Sequence, residues 1–459
     1  MKIPQHVHLI GIGGTGMRSI AKVLLEQGLR VTGSDVAETD AISALRELGA
    51  TINIGHKEEH LNGAEMVVVS TAILADNPEW TAAKARGIPV VHRSELWAHL
   101  LNNGKGIAVA GTHGKTTVTS LISWVLYRAG HDPTFLIGGE IPGIGAARYG
   151  KGPLVVAEAD ESDGSFVRYR PWCSVVTSIE PDHMEFYEGD FKRLVATYRQ
   201  FLRNTHPDGL AVLCCDDERV RDELAELDCR RVTYGFHPEA EWRATHIRLH
   251  EFHSTFRVEK NGEPVGEARL SIPGRHNVQN ALAVIAVCTE VGIDFAHIAE
   301  HMPAFSGTRR RFERVAEHNG ILVIDDYAHH PSEIRATLQA ARRGWPNRRL
   351  IAVFQPHRYA RTHALFEEFA ASFAEADMAI ITEIYSPPPD KPIPGITGER
   401  LAREIQAASP QVHVAHVRDV TSVPDYLFEQ IRPGDMIVTM GAGDVWRAAK
   451  ALAERLQAG

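Results

Sequence analysis

The chain has 459 residues, of which 44% are hydrophobic and 23% charged, and it carries a formal charge of −9. That length suits two to four domains, the composition excludes a mostly disordered chain, and the acidic balance gives no general attraction for nucleic acid or an anionic membrane. Five scattered cysteines without a C-x-x-C pair exclude a disulfide framework and a zinc ribbon, and no apolar run reaches membrane-spanning length, so a cytoplasmic protein without membrane insertion is expected.

Along the chain, a short apolar run, 7-VHLIGIGG-14, opens an α/β stretch. A helical pattern follows over Met17–Gln27, then strand patterns at 29-LRVTGSD-35, 66-MVVVSTAI-73 and 88-IPVV-91. Strands alternating with helices predict a parallel sheet. Within this stretch Gly11, Gly13 and Gly16 form a G-x-G-x-x-G turn between strand and helix, and Asp35 follows at the end of the next strand. Glycines there let backbone amides approach a diphosphate at a helix N-terminus, which suits a dinucleotide or a nucleotide sugar alike. An NAD(P)-dependent oxidoreductase would explain this turn but would leave the next loop without a role.

That second loop, 110-AGTHGKTTVTS-120, follows the strand 106-GIAVAG-111. Gly114-Lys115-Thr116 ends like G-x-x-x-x-G-K-[ST], although Val109 stands where the first glycine is expected. Backbone amides of Gly111, Thr112, His113, Gly114 and Thr117 would cradle phosphate oxygens, Lys115 would neutralise charge, and the Thr116 hydroxyl would ligate Mg²⁺. The strand 153-PLVVAEAD-160 brings Glu158, with Asp160, Glu161 and Asp163 behind it, as a hard oxygen ligand. The strand 173-CSVVTSI-179 leads to Asp182-His183, and its end is expected beside that of Glu158. Another strand fits 210-LAVLC-214. Residues 241–272 alternate apolar and polar around the turn signal Asn261-Gly262, predicting a small antiparallel sheet, and a helix fits 277-NVQNALAVIAVCTEVG-292. The third stretch reads as β-α repeats with strands at 321-ILVID-325, 350-LIAVFQ-355, 378-MAIITEI-384, 412-VHVAHV-417 and 436-MIVTMGAG-443. The Pro-rich 386-SPPPDKPIPG-395 is expected as an exposed loop. Junctions are expected near Leu101–Lys105 and Gly307–Arg314.

The ordered set AGTHGKTT, EADESD, TSIEPDHMEFYEGD, PGRHNVQN, TRRRFE, DDYAHHP and FQPHRYART resembles the Mur ligases, the ATP-dependent amide-forming enzymes of peptidoglycan precursor synthesis, over essentially the whole chain. That family uses the shortened G-x-x-G-K-[ST] loop. The resemblance implies an α/β fold of three domains. Residues 1–103 would form a Rossmann-like UDP-binding domain. Residues 104–310 would form a central P-loop ATPase domain with a small antiparallel sheet, and 311–459 a C-terminal Rossmann-like domain that closes over ATP and the amino acid. It implies a reaction in which the carboxylate of UDP-N-acetylmuramate is phosphorylated by ATP and joined to L-alanine, with two Mg²⁺ ions. A related ligase that recycles the tripeptide is the alternative within the family.

By position, Gly11, Gly13, Gly14, Thr15, Gly16, Asp35, Ser70, Thr71 and Ala72 resemble the UDP site. Lys115 resembles the phosphate-binding lysine, Thr116 and Glu158 the metal ligands, and His183 the ligand of a second magnesium. Asn277, Asn280, Arg311 and Asp326 resemble residues around the ATP. Tyr327, His329, His330, Arg358 and Arg361 resemble the wall that meets the amino acid and the reacting carboxyl, with His330 or His329 as a possible base. A solvated basic linker is the plain reading left open for Arg309 and Arg310. Sister ligases carry a carbamylated lysine after the DH motif; Lys192 is too close in sequence to fill that place. A monomer or weak homodimer is expected.

Overall fold

The computed structural model describes residues 2–222, 227, 229–387 and 390–458. The chain divides into two compact units, one of Met1–Arg243, Glu259–Val265 and Asn280–His301, the other of Ala244–Val258, Gly266–Gln279 and Met302–Gly459. It carries three sheets.

The first sheet holds β1 (His6–Ile10), β2 (Arg30–Asp35), β3 (Thr51–Ile54), β4 (Met66–Val69) and β5 (Val90–His92), all parallel, in the order β3-β2-β1-β4-β5. The order reverses direction between β1 and β4, so a crevice opens at their carboxyl ends, where the Gly11–Gly16 turn sits. Helix α1 (Thr15–Glu26) buries Met17, Ile20, Ala21 and Leu24, a one-sided helical spacing, against Val7, Leu9 and Val31. Around the sheet lie α2 (Asp40–Glu47), α3 (Pro78–Ala85) and α4 (Arg93–Asn103).

Glu79 of α3 is fully buried and ties this domain together. Its Oε2 accepts from Ser34 Oγ at 2.5 Å and lies 3.5 Å from His8 Nε2 and from His56 Nδ1; its Oε1 accepts from His60 Nδ1 at 2.8 Å and from the Lys57 amide at 3.2 Å. Burial pushes the carboxyl up, but hydrogen bonds from His8, Ser34 and His60 outweigh it and hold the pKa at about 2.

The central sheet begins with β6 (Lys105–Ala110), which leads into α5 (Lys115–Arg128), and continues with β7 (Thr134–Ile141), β8 (Gly145–Arg148), β9 (Leu154–Glu158) and β10 (Cys173–Val176). Next come α6 (Phe191–Arg203), β11 (Leu210–Cys214), α7 (Glu218–Asp222), β12 (Arg230–Gly235), β13 (Trp242–Leu249), β14 (Ser254–Lys260) and β15 (Glu263–Leu270), then α8 (Arg275–Val291) and α9 (Phe295–His301). The strand order is β15-β14-β13-β12-β11-β10-β6-β9-β7-β8. The β14–β15 hairpin turns through Asn261 and Gly262, both at positive φ, as the Asn-Gly signal predicts. The ends of β9 and β10 are not neighbours as expected, because β6 pairs with both and lies between them.

The third sheet contains β16 (Glu313–His318), β17 (Ile321–Asp326), β18 (Arg349–Phe354), β19 (Met378–Ile381), β20 (His413–His416) and β21 (Asp435–Met440), in the order β16-β17-β21-β18-β19-β20. Only β16 runs antiparallel to its neighbour. Alternate residues of β17 face opposite layers. Leu322 and Ile324 pack with Ile334 and Leu338 of α10 (Pro331–Gly344), and Val323 packs with Leu452 and Leu456 near the C-terminus. Strands β3, β7, β8, β12 and β16 were not foreseen from the sequence.

Candidate active site

In the first unit, the P-loop is fastened onto the segment just past β10. Thr112 N donates to Ser178 O at 2.9 Å, His113 N to Ser178 Oγ at 3.1 Å, Glu180 N to Thr112 Oγ1 at 2.8 Å and Thr177 Oγ1 to His113 O at 2.5 Å. Gly111 has φ +132°, and a Cβ there would stand 1.9 Å from Thr177 Oγ1. Gly114, at φ +81°, caps α5, and Asn280 Oδ1 lies 2.6 Å from where its Cβ would be. Both glycines are thus required by close approach as well as by backbone conformation.

Lys115, the first residue of α5, turns its ammonium back over the loop. It donates to Gly111 O at 2.5 Å and to both carboxylate oxygens of Glu161 at 2.9 Å. Burial alone would lower the Lys115 pKa, but Glu161 and Asp160 outweigh it and raise it, so the lysine stays charged. Glu161 is 1% exposed, and its carbonyl accepts from Tyr187 Oη at 2.6 Å. Glu158 ends β9 opposite Val109, and its Oε1 accepts from Gly138 N at 2.8 Å. A Cβ on Gly138 would lie 2.7 Å from Glu158 Oε2, so a larger residue there would push that carboxylate aside. Thr116 is buried, and Thr117 follows it on the first turn of α5. His183 adopts φ +53°, with Nε2 3.6 Å from Asp182 Oδ2. Lys192 is exposed at the start of α6.

At the first glycine turn, Gly11 N and Ile12 N both donate to Ser34 O, at 2.8 and 3.0 Å, and Gly14 caps α1. Asp35 Oδ2 accepts from Gly13 N at 2.8 Å, so this acid braces the turn itself. Thr15 opens α1, and Gly16 follows it. Ser70 is half-buried, and Thr71 and Ala72 are exposed just past β4, where Ile73 reaches back to 3.1 Å from a Cβ built on Gly11.

The second unit holds the remaining expected residues. Asp326 ends β17 and accepts from Phe312 N and Ala328 N, both at 2.7 Å; burial pushes its pKa up to about 6, and Arg311 opposes the rise. Arg310 and Arg311 lie 4.9 and 5.1 Å from the centre of the Tyr327 ring. Arg310 also donates to Asp325 at 3.1 Å and to Gly441 O at 2.6 Å, so its side chain is tied to the third sheet rather than solvated. Asn277 is buried, with Nδ2 2.6 Å from Pro273 O, whereas Asn280, one turn further along α8, belongs to the first unit. His330 caps α10 in a reciprocal box with Glu333, and His329 Nδ1 is 2.9 Å from Tyr327 O.

Four rings form a row, Tyr327–His329 at 5.2 Å, His329–His357 at 6.2 Å and His357–Tyr385 at 5.7 Å. Burial first, then His329, Arg361 and Arg358, drives the His357 pKa down to about 3. Arg358 sits at φ +66°, a costly conformation for arginine, with its amide donating to Tyr385 O at 2.8 Å. The helix after it, α11 (Tyr359–Ala364), is held from outside by Asp390, which accepts from Tyr359 N at 2.6 Å and Ser386 Oγ at 2.8 Å. Arg361 lies one turn into α11, 3.4 Å from His357 Nδ1. Sequence reasoning missed Thr177, Ser178, His357, Tyr385 and Asp390, and it saw Glu161 only as one of several acids.

Residues 6–105 match the Mur ligase family catalytic domain, 109–288 the Mur ligase middle domain, and 310–443 the Mur ligase glutamate ligase domain. The chain belongs to the Mur ligase family. As a Mur ligase it is an ATP-dependent ligase of peptidoglycan synthesis. It is 50% identical to UDP-N-acetylmuramate–L-alanine ligase of Symbiobacterium thermophilum, over 99% of this chain and 95% of that one. Among solved structures it resembles UDP-N-acetylmuramate–alanine ligase MurC of Thermotoga maritima, with TM-score 0.83, 31% identity and 99% of both chains covered. It also resembles a murein peptide ligase of Psychrobacter arcticus, with TM-score 0.69, 26% identity and 99% of both chains covered. The α/β architecture of N-terminal, central and C-terminal domains is that of Mur ligases.

Proposed function

We propose that this Mur ligase joins the carboxylate of UDP-N-acetylmuramate to the amine of L-alanine, with ATP converted to ADP and phosphate. The observation that carries this reading is the likeness, across 99% of the chain, to relatives named for that reaction, together with a P-loop lysine held among carboxylates. The domains we assign are 1–103 for UDP-N-acetylmuramate, 104–310 for ATP and 311–459 for ATP and L-alanine. A cytoplasmic monomer or weak homodimer belongs to the same proposal; among the described residues no helix is long and apolar enough to cross a membrane.

A carboxylate is a poor acyl donor. Its oxygen attacks the γ-phosphorus, ADP leaves, and an acyl phosphate forms; the neutral amine then attacks the acyl carbon and phosphate leaves. Bringing one unit charge within 4 Å of another of the same sign costs about 4 kcal/mol at an effective dielectric near 20. Lys115 counters this at the β- and γ-phosphates, with amides of Gly111–Thr117 around them. Asn280 supports the loop at Gly114, and with Asn277 it is assigned to the nucleotide. The buried Thr116 hydroxyl and the Glu158 carboxylate, positioned by Gly138 N, fit the hard oxygen donors that Mg²⁺ prefers. His183 is assigned to a second ion. When bound, Mg²⁺ supplies charge neutralisation at the phosphates. In the second unit, Arg311 and Asp326 serve ATP, and Tyr327, His329, His330, Arg358 and Arg361 serve the amino acid and the acyl group. A His330 ring that already caps α10 is better suited to positioning than to proton transfer.

The test is phosphate release from ATP and Mg²⁺ with each acceptor varied. Release that requires both UDP-N-acetylmuramate and L-alanine, with a product heavier by one alanine less water, is expected. Release with the tripeptide and none with alanine would overturn the substrate assignment.

A further inference from the structure

Arg93 is the first residue of α4, 77 positions beyond Gly16 in sequence, yet its guanidinium lies on the Gly16 turn. A Cβ on Gly16 would be 2.4 Å from Arg93 Nη1 and 3.3 Å from its Cζ. Gly16 is not in the left-handed region, so its backbone would accept alanine. What the missing methyl leaves room for is this cation. Arg93 is half-buried, and among the described residues its guanidinium has no hydrogen-bond or ion-pair partner. Three other cations of this chain are paired. Arg168 reaches Ser94 Oγ at 2.6 Å and Glu95 at 3.7 Å, Lys22 pairs with Glu26 at 3.7 Å, and Arg46 with Glu38 at 2.6 Å.

On the turn beneath Arg93, the Asp35 carboxylate is engaged by Gly13 N at 2.8 Å. Gly14 offers no side-chain cap, and the first turn of α1 has no acid. Free amides, the positive end of a helix dipole and an unpaired guanidinium therefore face the same crevice. Partly desolvating such a cation is unfavourable unless an anion meets it.

We propose that Arg93 receives the diphosphate of the nucleotide sugar, with Gly16 kept free of a side chain so that the guanidinium can lie over the turn. This rests on the UDP-sugar reading above and adds to it a residue contributed by α4, outside the glycine motif. A planar guanidinium can hold two phosphate oxygens at once, which an ammonium cannot.

Calorimetric titration of the full chain with UDP, uridine and ADP tests it. Arg93→Met should weaken UDP roughly 10- to 100-fold, as for loss of a charged hydrogen bond, and leave uridine and ADP unchanged. Arg93→Lys should fall between the two. Gly16→Ala should keep the thermal midpoint, since a flexible side chain can move aside, yet weaken UDP; in the Arg93→Met background the same change should have little further effect. Equal UDP affinity in wild type and Arg93→Met overturns the inference while leaving the substrate reading intact. Wild-type protein that binds neither UDP nor UDP-N-acetylmuramate overturns both. If Arg93→Met fails to fold, the Arg93→Lys and Gly16→Ala titrations decide alone, and unchanged UDP affinity in both overturns the inference.

Discussion

Glu79 offers a quantitative test of what holds the N-terminal domain. Its carboxyl falls from an ordinary 4.5 to about 2 in the folded chain, although burial pushes the other way. A depressed acid stabilises the fold above its unfolded pKa and loses that contribution as pH falls through the folded value. The gap corresponds to roughly 3 kcal/mol near pH 7, and about 1.5 kcal/mol of it survives near pH 3. Glu79→Gln keeps the shape and removes the charge. Hydrogen exchange of β1 peptides, read by mass spectrometry with added urea, should show wild type more protected than the variant. The margin should shrink by roughly 2 kcal/mol between near pH 7 and near pH 3. Loss of hydrogen-bond geometry alone would give a margin independent of pH, and that result would refute the electrostatic account.

Lys115→Met should abolish measurable ligation and also lower the thermal midpoint, because a buried Glu161 without its partner costs roughly 3–5 kcal/mol. Adding Glu161→Gln should restore the midpoint but not the ligation, and recovery of both would contradict the role of Lys115. Gly111→Ala forces a methyl to 1.9 Å from Thr177 Oγ1 at φ +132°, so ADP binding should be lost in a calorimetric titration; normal affinity would exclude the loop geometry described. Asp390→Ala should let Arg358 relax and raise the KM for alanine roughly tenfold with the KM for ATP unchanged, and Asp390→Asn should restore part of it by keeping one acceptor. A parallel rise in both KM values would mean general loosening of the third domain instead.

The local chemistry of the loops was legible because it depends on short spacing. Gly111 to Thr116, Gly11 to Gly16 and Asn261-Gly262 each need particular residue types within a few positions, and each folds where those types stand. Partners supplied by tertiary register were not legible. Thr177 and Ser178 meet the P-loop only because β10 lies beside β6, and Arg93 meets Gly16 only because α4 returns to the start of α1. Among Glu158, Asp160, Glu161 and Asp163, nothing in the spacing says that Glu161 turns inward to Lys115. Strands β3, β8 and β16 escaped notice because they are short or mixed in polarity, and their neighbours in the sheet stabilise them. Asp35 shows a structural role that its place in the fingerprint does not reveal. Its place in the fingerprint points to a ligand, and its carboxylate also spans the turn to Gly13 N. Arg358 was singled out by its motif, but its left-handed backbone depends on Tyr385 and Asp390, 27 and 32 residues later.

The contact between Lys115 and Glu161 bears on which anions the loop favours. Glu161 already presents two oxygens to the ammonium at 2.9 Å, much as a phosphate group would. Chloride arriving at the loop brings no more charge than the tethered acid it must displace. A triphosphate brings several charges and reaches the surrounding amides as well. Any anion must compete with this resident acid for the lysine, and the nucleotide, with more charges and more amide contacts, gains most from doing so.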